Sequence, residues 1–220
     1  MDELTKHLTT LVNDTLATRD WYQWRMPSSV PAGIATPPGS GYEQTRALKR
    51  AIANLYLRDP DRRVELATYF VRDWGGVRGN RPETLQRYVE SEVDAVIASN
   101  QSKGISSWSK VLHLRNPQRF FIYDARIAVV LNLVQVNYSL QQPTSFPMPS
   151  SQNRVIKLAR QRLRALSKIQ RWQAPTTQMY HDYNAMLIGI GERLSIEADV
   201  VEMALFSQAP VLASTWLTSP

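Results

Sequence analysis

Two helical patterns follow each other between residues 104 and 134, and the break between them constrains how this part of the chain can fold. The first pattern ends at Asn116-Pro117, because a residue that precedes proline is disfavoured in the α-helical region. Ser106 and Ser107 are suited to cap its start. The second pattern follows Asp124 and is apolar nearly all round, which is typical of a buried helix. This stretch therefore predicts a helix, a turn, a short aromatic run and a buried helix.

Asp124 stands at the start of the buried helix, directly after the run from Phe120 to Tyr123. The usual explanation for such a residue is an N-cap, in which the side chain accepts hydrogen bonds from free backbone N–H groups. The alternative is a functional carboxylate. A helix N-terminus favours the charged form of a carboxylate by about 0.3–1 kcal/mol. An ionised Asp124 would suit a base or a group that stabilises positive charge, and it would not serve as a proton donor.

The order of these features resembles that of the helix-hairpin-helix DNA glycosylases, and most closely that of the 8-oxoguanine DNA glycosylase group and its small bacterial and archaeal relatives. The resemblance covers residues 104–134 closely and residues 60–210 loosely. Asp124 takes the position of the family's Asp at the start of the helix after the hairpin. Lys110 lies on the helix that carries the family's attacking Lys, although a stricter alignment places Ser109 there. The hairpin keeps only Gly104 of the usual Gly-x-Gly pattern.

The resemblance implies an all-α fold of the helix-hairpin-helix DNA glycosylase type and an enzyme that excises a base from DNA. The expected substrate is double-stranded DNA with a flipped base, either oxidised guanine or a hypermodified phage base, and the expected role is repair or phage defence. Asp124 would direct water to leave an abasic site, which is the favoured mechanism. Lys110 would instead form a Schiff base and nick the strand.

A glycine-rich segment at residues 73–81 is the second stretch of interest. It is explained either as a turn between helices, whose glycines supply positive φ, or as a loop near a pocket or the DNA backbone. Aromatic side chains of these stretches are candidates for contacting a base. Tyr180 and Tyr183 of the later helix 176–194 are further candidates, with a place in the core as the alternative, and so is His113, with a packed structural role as the alternative. The candidates for substrate binding are Trp74, Trp108, His113, Tyr123, Tyr180 and Tyr183.

The positive charge of the chain is concentrated in one segment. Between Ser150 and His181 there are seven basic residues and no acidic one; without them the 26 Lys and Arg residues fall to 19, the number of Asp and Glu residues. Six of the seven share one side of a predicted helix, and Arg162 falls among its apolar residues. A solvated face is one explanation; nucleic acid is favoured, because unpaired cations repel one another. The DNA-binding candidates are Arg78, Arg81, Lys103, Ser106, Ser107, Arg115, Arg126, Arg154, Lys157, Arg160, Arg164 and Lys168.

Composition removes support from most other enzyme classes. The chain contains no cysteine, which excludes thiol nucleophiles and Cys-ligated metals, and its three histidines lack metal-ligand spacing. It has no phosphate loop, nucleophile elbow or dinucleotide fingerprint. We therefore expect no cofactor and no metal, and no protein partner can be inferred. A non-catalytic helical DNA-binding protein is the main alternative, and an RNA nuclease or toxin fits less well because no acid cluster or His pair is evident.

Apolar periodicity predicts helices throughout the chain and no confident strand. The predicted ranges are 2–25, 42–57, 61–72, 82–99, 153–172, 176–194 and 197–207, in addition to the two helices within 104–134. Residues 1–41 are expected to form an N-terminal helix and a Pro/Gly-rich connecting loop, and residues 42–220 a helical glycosylase-like domain with long Pro-rich loops. The N-terminus lacks the pattern of a signal peptide, and no apolar run approaches the length of a membrane span. We therefore expect a cytoplasmic protein that does not bind membranes.

Overall fold

The computed structural model describes residues 2–24, 26–35 and 41–219. Within these ranges the chain is helical, and its one extended pairing is an isolated parallel bridge between Thr144 and Gln173. The all-α prediction is confirmed. The ten α-helices of the described ranges are α1 (Asp2–Leu16), α2 (Gly41–Arg58), α3 (Arg63–Thr68), α4 (Pro82–Glu90), α5 (Val93–Asn100), α6 (Ile105–Arg115), α7 (Ala125–Asn137), α8 (Arg154–Ile169), α9 (Met179–Leu194) and α10 (Ala198–Thr218).

The chain divides into two compact units. Unit 1 comprises Met1–Trp21 and Tyr123–Pro220, and unit 2 comprises Tyr22–Ile122. Helix α1 packs against α7, α9 and α10 within unit 1. The division of the chain at residue 41 stays a prediction. The boundary between the units falls within the aromatic run that precedes Asp124.

Unit 1 is built around α7 and α10. Every residue of α7 from Ile127 to Gln135 is buried, as its all-round apolar pattern predicts, and α10 packs against α7, α8 and α9. Two buried amides of α7 fix the Pro-rich loop that follows. Asn132 bonds both the N–H and the C=O of Phe146, and Gln135 does the same for Thr144, at distances of 2.7–3.1 Å. This part of the long loop is therefore anchored to the core.

Helix α10 is longer and more apolar than expected. By length and composition it meets the criterion for a membrane span, with a mean hydropathy of 1.2 over an 18-residue window that is 50% buried. The sequence pattern predicts an end near residue 207, before Pro210, but the helix continues through this proline to Thr218 and buries Ala213. Because α10 packs against four other helices of unit 1, we assign it to the core.

Unit 2 packs α2 against α6 and α3, and it departs from the predicted helix boundaries at two places. A π-helical turn, Tyr69–Trp74, follows α3 where a continuous helix was expected. The predicted helix over 82–99 is broken at Ser91, which is extended, and the Arg115 guanidinium donates hydrogen bonds to the carbonyls of Ser91 and Tyr88. The break is stabilised by a residue distant in sequence, which a local pattern cannot reveal.

Two predictions about helix starts and ends are wrong. The N-terminal helix ends at Leu16 and not near residue 25, and Asp20 adopts a positive φ of 55°. Ser106 and Ser107 do not cap α6, because the helix already begins after Gly104 and both serines lie in its first turn. Gly104 has a φ of 69°, and a Cβ at this position would lie 2.9 Å from Tyr88 Oη, so both conformation and close packing require glycine here.

Candidate functional site

Asp124 caps α7 with a single carboxylate oxygen. Its Oδ1 accepts hydrogen bonds from the backbone N–H of Arg126 at 2.9 Å and of Ile127 at 3.1 Å. The predicted N-cap is therefore confirmed. The other oxygen, Oδ2, accepts no hydrogen bond within the part of the chain that the structure describes, and the side chain is half-buried. The cap thus fixes the carboxylate in place and leaves one oxygen available for another interaction.

Three tyrosines proposed to contact a base form one cluster in unit 1. The Tyr123 ring meets Tyr183 edge to face at 5.2 Å between centroids, and Tyr180 lies 6.2 Å from Tyr183. All three are buried, and the Tyr123 hydroxyl donates to Pro147 O at 2.9 Å. Burial, together with the negative charge of Asp124, raises the pKa of Tyr123 well above its usual value. The cluster is therefore neutral and packed, and its contact with a base stays a prediction.

Arg126 follows the capping Asp124 and lies over an aromatic ring of α10. Its guanidinium carbon is 4.4 Å from the Phe206 ring centroid, which is the geometry of a cation–π contact. The side chain is half-buried. The cation proposed to contact DNA is therefore held close to the start of α7 by packing.

Helices α5 and α6 follow each other at the place where the family resemblance implies a hairpin, and both lie wholly in unit 2. The connection contains two residues of positive φ, Gln101 and Gly104. Trp108 is fully buried and its Nε1 donates to Lys103 O at 3.1 Å, so this ring supports the hairpin from within. Lys103 itself is exposed at the tip. The structure thus gives Trp108 a packing role, while the contact of Lys103 with DNA stays a prediction.

Lys110 is only 2% exposed, although it is a lysine on a helix. Its Nζ donates to Ser106 O, one turn earlier, at 2.8 Å. A Cβ built on Gly75 would lie 2.5 Å from Lys110 Cε and 2.9 Å from Cδ, so the Lys110 stem runs directly over the Gly75 backbone. The candidate nucleophile is therefore buried and narrowly confined.

The glycine-rich segment lies against α6, where sequence reasoning could not place it. Asn80 Nδ2 donates to Ser107 Oγ at 2.8 Å, and Trp74 stacks on Phe70 at 4.5 Å between centroids. Among the described residues, Trp74 Nε1 and Ser106 Oγ are buried and have no hydrogen-bond partner. Gly76 has a positive φ of 69°, as the turn explanation requires, and Gly75 permits the close approach of Lys110. A contact of this segment with a pocket or with DNA stays a prediction. The sequence singled out this segment but did not identify Gly75 and Asn80 as the residues that contact α6. The Gly75-Gly76 pair was the available signal.

His113 and Arg115 make contacts within unit 2. His113 Nδ1 is 2.8 Å from Phe120 O, its ring is stacked against Phe70 at 6.0 Å, and the side chain is buried. The contacts favour the structural explanation of His113. Arg115 holds the break between α4 and α5, as described above, while Arg78 and Arg81 are exposed in the glycine-rich segment.

The cations of α8 serve more than one purpose. Arg160 Nε and an Arg164 guanidinium nitrogen both donate to Met148 O, at 2.9 and 3.0 Å, and so fasten the end of the Pro-rich loop. Arg162 lies over the Trp216 ring at 4.7 Å and bonds Trp216 O, which explains its position among apolar residues. Arg154, Lys157 and Lys168 are exposed.

Two residues of the predicted apolar side of α8 are not buried. Leu158 is 44% exposed and Ile169, the last residue of the helix, is 80% exposed. The buried side is narrower than the pattern indicates and consists of Ile156, Ala159 and Leu163.

The two candidate catalytic side chains belong to different units. Asp124 lies in unit 1, together with the tyrosine cluster, Arg126 and α8, whereas Lys110 lies in unit 2 with the hairpin, Trp74 and His113. Among the described residues no group of three or more His, Cys, Asp or Glu side chains could hold a metal ion.

Comparison with known proteins gives no relative of this chain: no family model, no curated protein and no solved structure matches it.

Proposed function

We propose that this chain is a DNA N-glycosylase of the helix-hairpin-helix, 8-oxoguanine glycosylase-like type. The observation that carries the proposal is the geometry of Asp124. Its Oδ1 takes both capping hydrogen bonds, while Oδ2 accepts none from the described residues and the side chain is half-buried. A carboxylate that served only as a cap would need the two hydrogen bonds at Oδ1, and it would not need a second oxygen outside those bonds.

The geometry suits a dissociative cleavage of the bond between base and sugar. As the C1′–N bond breaks, its electron pair leaves with the base and the sugar acquires oxocarbenium character, which a nearby carboxylate stabilises. Water then forms the new C1′–O bond, and one of its protons is released while the departing base takes up a proton. Asp124 would orient this water through Oδ2, and the product would be an abasic site.

Exposed cations in both units support DNA as the substrate. Lys103 stands at the tip of the hairpin in unit 2, and Arg154, Lys157 and Lys168 are exposed on α8 in unit 1. Such cations bind phosphates without reading sequence. A glycosylase must also extrude its target base from the stack, and aromatic side chains commonly receive it.

A covalent route through Lys110 is the second mechanism, and its nucleophile would be the buried amine that Gly75 confines on α6. Its Nζ, once deprotonated, would attack C1′ and expel the base with the electrons of the C1′–N bond. The attached amine would lose a proton, and ring opening would give a Schiff base that permits strand cleavage. Hydrolysis directed by Asp124 remains the favoured route.

The substrate class follows from the family that the chain resembles. Oxidised guanine or a hypermodified phage base is the proposed target, in repair or in defence against phage, and either role places the protein in the cytoplasm. A non-catalytic helical DNA-binding protein is the competing proposal, because the exposed cations of α8 would serve it equally well.

The deciding experiment incubates the full chain with duplexes that carry single modified bases and measures both the released base and abasic sites. Asp124→Asn retains a good capping residue but removes the charge. We expect at least one duplex to release its base, and Asp124→Asn to lower the single-turnover rate by about 10²-fold or more. Asp14→Asn, an exposed acid of α1, is the control for charge.

Three outcomes are informative. Tight duplex binding without release of any base would support the DNA-binding alternative. Release at an unchanged rate by Asp124→Asn would remove Asp124 from the mechanism. A borohydride-trapped adduct that disappears in Lys110→Ala would show the covalent route.

A further inference from the structure

A basic cleft lies at the C-terminal end of α8, entirely within unit 1. Its volume is about 540 Å³, and it is open to solvent. The residues that define it are Ser145, Arg164, Lys168, Arg171, Trp172 and Pro175. Arg171 belongs to the basic side of the predicted helix 153–172, for which the sequence favours nucleic acid, whereas Trp172 was not among the residues that the sequence indicated for binding.

The walls of this cleft are fixed by hydrogen bonds from both sides. Gln173 N donates to Pro143 O at 2.9 Å, and Ser145 N donates to Gln173 O at 2.8 Å, which joins the segment after α8 to the Pro-rich loop. On the helix side, Arg160 and Arg164 bond the carbonyl of Met148. A ligand would therefore meet a preformed surface, which lowers the ordering cost of binding.

The charge of the cleft is not balanced locally. Its lining contains three cations and no acidic residue, and within the described residues Lys168 and Arg171 make no side-chain hydrogen bond or ion pair. Arg171 also adopts a positive φ of 53° just after the helix, where glycine is usual. The chain thus places a third cation at the cleft in a backbone conformation that is unfavourable for a residue with a Cβ.

Trp172 supplies an aromatic surface beside these cations. It is half-buried, and its Nε1 donates to Gln170 Oε1 at 2.9 Å, which restricts the orientation of the ring. An indole next to several cations is the combination by which proteins hold single strands, since bases stack on the ring and phosphates meet the charges. The cleft has the volume of a site for a small ligand, about 300–1,000 Å³, which accommodates one or two nucleotides and not a duplex.

We propose that this cleft binds an unpaired segment of DNA, with a base stacked on Trp172 and the adjoining phosphates on Lys168 and Arg171. This inference rests on the proposed function in one respect only, namely that the partner is DNA. It adds to that function a second, sequence-tolerant contact, which is separate from the capping carboxylate Asp124 and holds a strand locally opened from the duplex.

The test measures binding of the full chain to a labelled oligothymidylate and to an unmodified duplex by fluorescence anisotropy over a range of salt. The variants are Trp172→Ala, Trp172→Phe and the double variant Lys168→Gln/Arg171→Gly. Glycine suits the positive φ at position 171, so this double variant removes charge without straining the turn. Lys6→Gln/Arg58→Gln removes two exposed cations elsewhere and is the matched control.

We expect Trp172→Ala to weaken oligothymidylate binding by about 5-fold or more and Trp172→Phe to retain most of it, because stacking requires only a ring. The Lys168/Arg171 variant should reduce the slope of log K against log salt by about 1.4, or about 0.7 for each phosphate contact to a single strand. The control should leave both quantities unchanged. If Trp172→Ala fails to fold, the Lys168→Gln/Arg171→Gly variant still decides the matter through the salt slope.

Unchanged oligothymidylate binding in both Trp172→Ala and Lys168→Gln/Arg171→Gly would overturn the inference, even if base release showed the proposed function to be right. Competition by thymidine monophosphate as effective as by the oligomer, or stronger binding to phosphatidylserine vesicles, would also overturn it. Conversely, a cleft that binds the oligomer in a protein that releases no base would contradict the glycosylase proposal and support the inference.

Discussion

The backbone of Gly75 and the side chain of Lys110 are in contact so close that no other residue fits at position 75 without displacement. A Cβ on Gly75 would lie 2.5 Å from Lys110 Cε and 2.8 Å from Phe70 O. The φ of Gly75 is −86°, so steric contact and not backbone conformation requires glycine. The π-helical turn Tyr69–Trp74 ends directly before this residue, which brings the loop onto α6.

Gly75→Ala should lower the free energy of unfolding by about 1–3 kcal/mol, because the added methyl group overpacks a buried contact. Gly79→Ala in the same segment is the control, since a Cβ there meets nothing within 4 Å. Urea denaturation measures both. In the Lys110→Ala background the loss should be smaller, with the remainder due to Phe70 O. Equal losses of unfolding free energy in the wild-type and Lys110→Ala backgrounds would show that the added methyl group does not contact Lys110.

Two substitutions of Asp124 should separate capping from any charge-dependent role. Asp124→Ala removes the acceptor of two backbone N–H groups and should reduce stability by about 0.5–2 kcal/mol, whereas Asp124→Asn should stay within a few tenths of the wild type. Gln178→Ala, at the N-cap position of α9 where no side-chain cap bond is formed, should change little in thermal or urea unfolding. A large stability loss in Asp124→Asn would mean that the negative charge itself stabilises the fold.

Local sequence signals predicted the features that neighbouring residues determine. The cap at Asp124 and the start of α8 after Asn153, whose side chain accepts from Ile156 N, are examples. Long-range contacts determine what was missed. The break at Ser91 depends on Arg115, and the placement of Arg162 depends on Trp216 in α10. The closeness of Gly75 to Lys110 likewise arises only when the fold brings residues far apart in sequence together.

Stability should fall at alkaline pH, in part through Tyr69. Burial, with a further contribution from the negative charge of Asp73, raises the pKa of Tyr69 to about 12, and its hydroxyl donates to Ser29 O at 2.9 Å. Because the folded pKa lies above the unfolded value of about 10, this contribution is fully present below pH 10 and is lost as the pH rises towards 12. Tyr69→Phe should lose about 1 kcal/mol at pH 7 and show a shallower decline above pH 10 in urea denaturation. A decline as steep as in the wild type would contradict this role.

Arg160 and Arg164 donate to the same acceptor, Met148 O, so replacing both should open the loop around Met148 and should not open the rest of the fold. Burial, with the nearby charge of Arg164, lowers the pKa of Arg160, so this cation is held at some cost to bond Met148 O. Because either guanidinium can hold that carbonyl, Arg160→Ala/Arg164→Ala should affect the loop more than either single change. Hydrogen exchange should quicken around Met148, while the Thr144 and Phe146 amides stay protected, because Gln135 and Asn132 on α7 hold them. Arg154→Ala/Lys157→Ala removes two exposed charges from the same helix and should leave this exchange pattern intact. If Thr144 and Phe146 lost protection together with Met148, the loop would open as a single unit and the two anchors would not act independently.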